Sequence, residues 1–208
     1  MKLSKTLLLG ATLLASTIMQ AQAKTLILYF SQPENVALNQ EVDGVSGASA
    51  LLRNNQVLGS NQYIAQIIQQ QTGGDLLRIE TVQPYPAEHQ PLLDFAQEEQ
   101  RQNIRPKLKT LPDLSGYDTV FVGYPIWWYQ MPMPLYSLFE QVDFSGKTVI
   151  PFTVHGGSRF SNSLKEIKRL QPNAKLITKG LAISRDDVNE QSTVEKTVEW
   201  VKMLGLSK

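Results

Sequence analysis

The chain has 208 residues, 42% of them hydrophobic and 19% charged, with 20 Lys and Arg against 19 Asp and Glu and no cysteine. That is the composition of one globular domain; it excludes a disordered chain, and so even a charge lacks the basic stripe that sequence-independent nucleic-acid binding needs. Without cysteine there are no disulfides, thiolate metal sites or iron–sulfur clusters, and with His89 and His155 as the two histidines no metal site is expected.

Lys2 and Lys5 precede an apolar run from Leu7 to Ile18, followed by Ala21-Gln22-Ala23. This pattern predicts a secretory signal peptide over 1–23, and hence a periplasmic or secreted mature domain over 24–208. A membrane anchor is the alternative, but the run is shorter than the roughly 20 residues of a bilayer span, and nothing later reads as a transmembrane helix. Losing two of the 20 basic residues against 19 acidic ones leaves the mature chain at a formal charge of −1.

Thr25 to Phe30 is a short apolar run, the pattern of a strand buried on both faces. Similar runs follow at Leu76 to Ile79, Thr119 to Val122, Thr148 to Phe152, and Leu176 to Ile177 continuing through Leu181 to Ile183. Helical patterns alternate with them at Asn61 to Gln71, Pro91 to Arg101, Leu135 to Val142, Asn162 to Leu170 and Asp187 to Leu204. Five such strands alternating with helices predict a doubly wound α/β domain, its parallel sheet covered on both faces. Residues 32–58 interrupt the rhythm as an excursion between the first strand and the first helix, ending either in a small hairpin at LLRNNQVL or in a disordered tip.

Open parallel sheets bind ligands beyond the carboxyl ends of their strands, so the segments just after the strands are where function is sought. After the third strand, Pro125-Ile126-Trp127-Trp128-Tyr129 sets three consecutive aromatics between prolines. Either they plug the sheet end, or they stack on a planar ligand, as large aromatics do well. After the fourth strand, Thr153-Val154-His155-Gly156-Gly157 offers main-chain N–H groups that a Cβ would otherwise keep from a ligand. His155 is either satisfied by backbone or functional; protonated, with an ordinary pKa near 6.5, it would bias the charge of a ligand beside it. No serine or carboxylate completes a triad, which disfavours hydrolysis. Ser31, and Gly59-Ser60-Asn61 at the start of the first helix, combine an N-cap at Ser60 or Asn61 with free amides suited to phosphate.

YFSQP at 29–33, GSNQYIAQII at 59–68, PYP at 84–86, YDTVFVGYPIWWYQMPMP at 117–134, FSGKTVIPFTVHGGSRFSNS at 144–163 and GLAI at 180–183 resemble the flavodoxin-like proteins that bind flavin mononucleotide (FMN). The resemblance spans almost all of the mature chain. It implies the flavodoxin-like five-stranded sheet in the order 2-1-3-4-5, with FMN phosphate at Ser31, Gly59, Ser60 and Asn61. It further implies an isoalloxazine flanked by Pro125, Ile126, Trp127 and Trp128 and by Thr153, His155, Gly156 and Gly157. The chain departs from the family where Ser-x-Thr-Gly-Asn-Thr is normally continuous: Ser31 is separated from Gly59 by the excursion. It also lacks the strong acidity common in flavodoxins. The function expected is periplasmic electron transfer, with a redox protein or a small acceptor such as a quinone as partner. The alternatives are an NAD(P)H- or quinone-dependent reductase of the same fold, with Tyr129 and His155 shaping a substrate pocket, and a partner-binding module without flavin.

Overall fold

The computed structural model describes residues 24–32, 50–53 and 56–208; the segment expected to be a signal peptide and most of the excursion lie outside them. Chain order is β1 (Thr25–Tyr29), β2 (Ala50–Arg53), β3 (Gln56–Gly59), α1 (Ser60–Thr72), β4 (Asp75–Arg78), α2 (His89–Arg101), β5 (Thr119–Pro125), α3 (Met133–Gln141), β6 (Thr148–His155), α4 (Ser163–Leu170), β7 (Lys175–Leu176), β8 (Leu181–Ser184) and α5 (Gln191–Met203). The main sheet runs β4-β1-β5-β6-β7, with β8 also pairing β6, and every pair in it is parallel. Taking β7 and β8 together as the fifth strand, this is the flavodoxin order 2-1-3-4-5. Strand identity follows from apolar composition, and layering from alternation along each strand. Leu26, Leu28, Val120, Val122 and Val149 face Leu92, Leu135, Leu138, Phe139 and Ile167 of α2, α3 and α4, and form one core. Ile27, Phe121, Ile150, Phe152 and Val154 face Ile64, Ile67, Ile68, Trp200 and Val201 of α1 and α5, and form the other.

The arms of the LLRNNQVL segment, β2 and β3, take the first of their two expected forms and pair antiparallel, with Leu51 opposite Leu58 and both buried in the second core. Two details depart from the sequence-based expectation. The N-cap of α1 is Gly59 rather than Ser60 or Asn61, and the Gly59 N–H is taken by Gln62 Oε1 at 3.2 Å. This places Ser60, Asn61 and Gln62 in the first turn. Second, the fifth strand is broken. β7 pairs Thr148 and Val149 of β6, whereas β8 pairs Phe152 to His155. Ile177 N–H bonds Val149 O, and Arg185 N–H bonds His155 O, so the odd-numbered residues of β6 turn their polar groups toward this side. Pro151 is one of these and has no N–H to give, which removes a rung where the break falls. Gly180 fits in that gap: a Cβ there would stand 2.4 Å from Pro151 O.

Candidate functional site

Ser31 leaves β1 at its carboxyl end and Asn61 opens α1 beside it; both residues are 1% exposed. Asn61 Oδ1 accepts the Val154 N–H at 3.2 Å, which ties the start of α1 to the end of β6. The opposite atom, Nδ2, is buried with no acceptor, and Ser31 Oγ is buried without a partner too. Such groups cost about 1–3 kcal/mol each when unsatisfied. One orphaned donor in the first turn of a 13-residue helix, where amides and the helix dipole favour negative charge, and a second just past the carboxyl end of β1 suit a phosphate.

Val154 carries the geometry onward, because it also lines a cleft of about 520 Å³ at the same sheet edge. One wall is Ile126, Trp127, Trp128 and Tyr129; the other is His155, Gly156, Gly157, Ser158 and Arg185; His89, Leu92 and Leu93 of α2 close the remaining side. This size is ordinary for a small-molecule or cofactor site.

The aromatic wall is a tight turn. Trp127 N–H donates to Gln130 O at 2.9 Å and Gln130 N–H to Trp127 O at 3.0 Å, with Trp128 and Tyr129 between them at φ 47° and 64°. Two positive φ values in a two-residue connection are the signature of a type I′ turn, in which Asn-Gly is the usual pair; L residues with side chains pay about 1–2 kcal/mol apiece in left-handed conformation. Strain of this kind persists where the surroundings over-determine it, and it clusters at ligand sites. Here α2 holds the turn: the Trp128 indole N–H donates to Leu93 O at 3.1 Å, and Gln100 Nε2 donates to Trp128 O at 3.3 Å. Trp127 instead packs edge-on against Phe30 and Tyr85, each centroid 5.4 Å away. The plug and the ligand wall therefore divide between neighbouring indoles, Trp127 sealing the core and Trp128 standing 40% exposed at the cleft. Beneath Trp127, the Tyr85 hydroxyl donates to the buried Glu99 carboxylate. Burial pushes the Glu99 pKa up, and the Tyr85 bond offsets part of that rise.

The glycine wall is shaped by His155, whose Nδ1 accepts the Gly157 N–H at 3.0 Å. That bond requires an unprotonated Nδ1. Burial, followed by the charges of Arg159 and Lys196, pushes the imidazole pKa down, with Asp187 opposing. Both effects favour the neutral imidazole, and His155 braces its loop, which is the backbone-satisfied one of its two expected readings. Gly157 has φ 120°, a conformation that other residues rarely adopt.

Of the sequence-predicted residues, Ile126, Trp127, Trp128, His155, Gly156 and Gly157 line the cleft, Gly59, Ser60 and Asn61 cap and open α1, and Ser31 follows the carboxyl end of β1. Pro125 and Thr153 are buried strand residues behind the wall; Thr153 Oγ1 donates to Tyr124 O at 2.6 Å. Sequence reading missed His89, Leu92, Leu93, Ser158 and Arg185. Arg185 follows the last strand, the same signal that marked the other segments.

Fold and site together define a doubly wound α/β protein with a ligand cleft at the carboxyl edge of its sheet. A flavodoxin family model matches residues 51–204, and the chain belongs to that family. Among solved structures, a protein from Bacteroides uniformis assigned as a flavoprotein is 26% identical, with 86% of this chain and 98% of that one covered and a TM-score of 0.64. One from Bacteroides eggerthii, likewise assigned, is 24% identical over 88% of this chain and 99% of that one, at TM-score 0.64. A flavoprotein from Lactobacillus acidophilus solved in complex with FMN is 19% identical, covering 82% and 99% at TM-score 0.56. No curated protein matches significantly. Among the described residues, no helix is long and apolar enough to cross a membrane.

Proposed function

We propose that this protein is an FMN-dependent electron-transfer protein that works in the periplasm. The observation that carries the cofactor assignment is the pair of buried donors without acceptors, Ser31 Oγ just past β1 and Asn61 Nδ2 in the first turn of α1, the latter one residue contact from a cleft walled by aromatics and glycines. A ribityl phosphate would satisfy both donors, and a flat ring suits the space between the Trp128 turn and the Gly156-Gly157 loop. When bound, FMN supplies reversible acceptance and release of electrons. The chain's own residues bind and orient it: α1 amides and the Ser31 and Asn61 side chains hold the phosphate, Trp128 packs on the ring, and the loop braced by His155 presents main-chain N–H groups. No side chain has to act as acid or base for outer-sphere transfer.

Tyr129, 74% exposed beside the cleft, supports a second reading in which a flat acceptor such as a quinone enters, giving a reductase. Export rests on the Lys2/Lys5 and Ala21-Gln22-Ala23 pattern, and a periplasmic redox protein or a quinone is then the partner. Calorimetric titration of the mature apoprotein with FMN and with riboflavin tests the cofactor. FMN should bind at one equivalent and at least about tenfold more tightly, a difference of roughly 1.4 kcal/mol, since charge-assisted bonds to a phosphate are worth that or more. Equal affinities would remove the phosphate seat, and no binding at all would leave the flavin-free module.

A further inference from the structure

The residues lining the cleft are unbalanced in charge. His89, His155 and Arg185 are its basic members, and neither Asp nor Glu lines it. His155 gives its Nδ1 to the Gly157 N–H, so the permanent cation of the cleft is Arg185. Backbone places it there: the Arg185 N–H donates to His155 O at 2.9 Å, extending the β6–β8 ladder one residue past Ser184 at the ligand-binding edge. Its guanidinium lies flat over the glycine loop. A Cβ on Gly156 would stand 3.4 Å from Cζ, 3.4 Å from Nη1 and 3.5 Å from Nε, near-equal distances that only a plane laid across that position produces. The acid that pairs with it, Asp186, is 3.8 Å away with its side chain 75% exposed, so this carboxylate screens the cation weakly.

We propose that Arg185 makes this cleft favour the two-electron-reduced, singly anionic form of the flavin over the oxidised form. The inference rests on FMN being the ligand. Reduction adds two electrons and one proton to the oxidised ring; the proton goes to N5, N1 stays unprotonated, and the ring gains one negative charge. A cation at the glycine wall, in a site partly withdrawn from water, stabilises that charge and leaves the neutral oxidised ring almost unaffected. An acidic cleft does the reverse and suits a low-potential carrier; this one suits the exchange of electron pairs with a small acceptor.

The test uses the mature chain with FMN bound, in an electrochemical cell where a viologen-mediated electrode supplies electrons and pH 7.5 buffer the proton. Wild-type protein should show a two-electron midpoint at or above that of free FMN. Arg185→Gln should lower it by about 30 mV or more, the equivalent of a tenfold loss in preference for reduced over oxidised FMN. Arg185→Lys should retain most of the wild-type value. Raising the salt from low to molar concentration on wild-type protein alone should lower its midpoint, a reading independent of how well the variants fold. Equal midpoints in wild type and Arg185→Gln, or a wild-type midpoint indifferent to salt, would overturn the role of Arg185 and leave FMN binding intact. Failure of wild type to bind FMN would overturn both.

Discussion

Ser31 and Asn61 each bury a hydrogen-bond donor that the protein itself does not satisfy, and this makes a separable prediction. Ser31→Ala should stabilise the apoprotein by about 1 kcal/mol, because an unmet buried hydroxyl is removed, while weakening FMN binding about tenfold. Thermal melts of the apoprotein and FMN titration measure the two effects on one variant. Tyr129 offers a second dissociation of stability from function. Its φ of 64° and high exposure mean that Tyr129→Gly relieves strain at little packing cost, so unfolding free energy should rise by about 0.5–1 kcal/mol in denaturant titrations. If Tyr129 faces an acceptor in the cleft, quinone turnover should fall in the same variant. Most of this site was readable because stacking aromatics and paired glycines announce their chemistry by residue type. Arg185 was missed although it follows the last strand, because within Ser-Arg-Asp-Asp it reads as a solvated charge run until the β8 ladder places it at the cleft. The strain at Trp128 and Tyr129 was equally hidden, since neither residue type signals positive φ.

Strands and helices were legible wherever apolar runs were uninterrupted, and the misreadings have local causes. β5 and β6 run to Pro125 and His155, beyond the expected ends, because their last residues are held by the neighbouring strand rather than by propensity. The split of the fifth strand depends on a proline in a different element, which no reading of residues 176–183 by themselves could expose. Gly123 illustrates how closely the central strands approach their surroundings: a Cβ there would lie 2.0 Å from the Phe152 ring. Gly123→Ala should therefore destabilise the fold by about 1–3 kcal/mol in denaturant titrations, the ordinary cost of overpacking, although the position lies in strand and not in a turn. The β6 loop has a pH dependence of definite sign. His155 has a depressed pKa in the folded protein, so between that value and the unfolded value near 6.5 the unfolded chain binds more protons, and stability falls as pH is lowered through this window. His155→Gln should flatten that part of the stability profile.

Glu99 opposes His155 on the scale of the whole molecule. Its raised folded pKa means a stabilising contribution that is complete below the ordinary carboxylate value and lost as pH rises through the folded value, so its buried carboxylate is a liability at neutral pH. Glu99→Gln, which can still accept from Tyr85, should raise the melting temperature at pH 7 and leave it nearly unchanged in mild acid. Export is tested by intact mass: the periplasmic protein should begin at Lys24, and retention of Leu7 to Ile18 would withdraw the periplasmic assignment. The flavodoxin order was legible from the chain through the six segments that carry the resemblance. The break that Pro151 imposes on β7 and β8 has a consequence for how copies of the protein meet. An outermost strand in pieces of two and four residues, opposite a far edge, β4, of four residues bearing Asp75 and Arg78, gives a second copy no continuous row of amides on which to add its own strand. The proline that interrupts the ladder thereby guards the sheet against edge-to-edge aggregation.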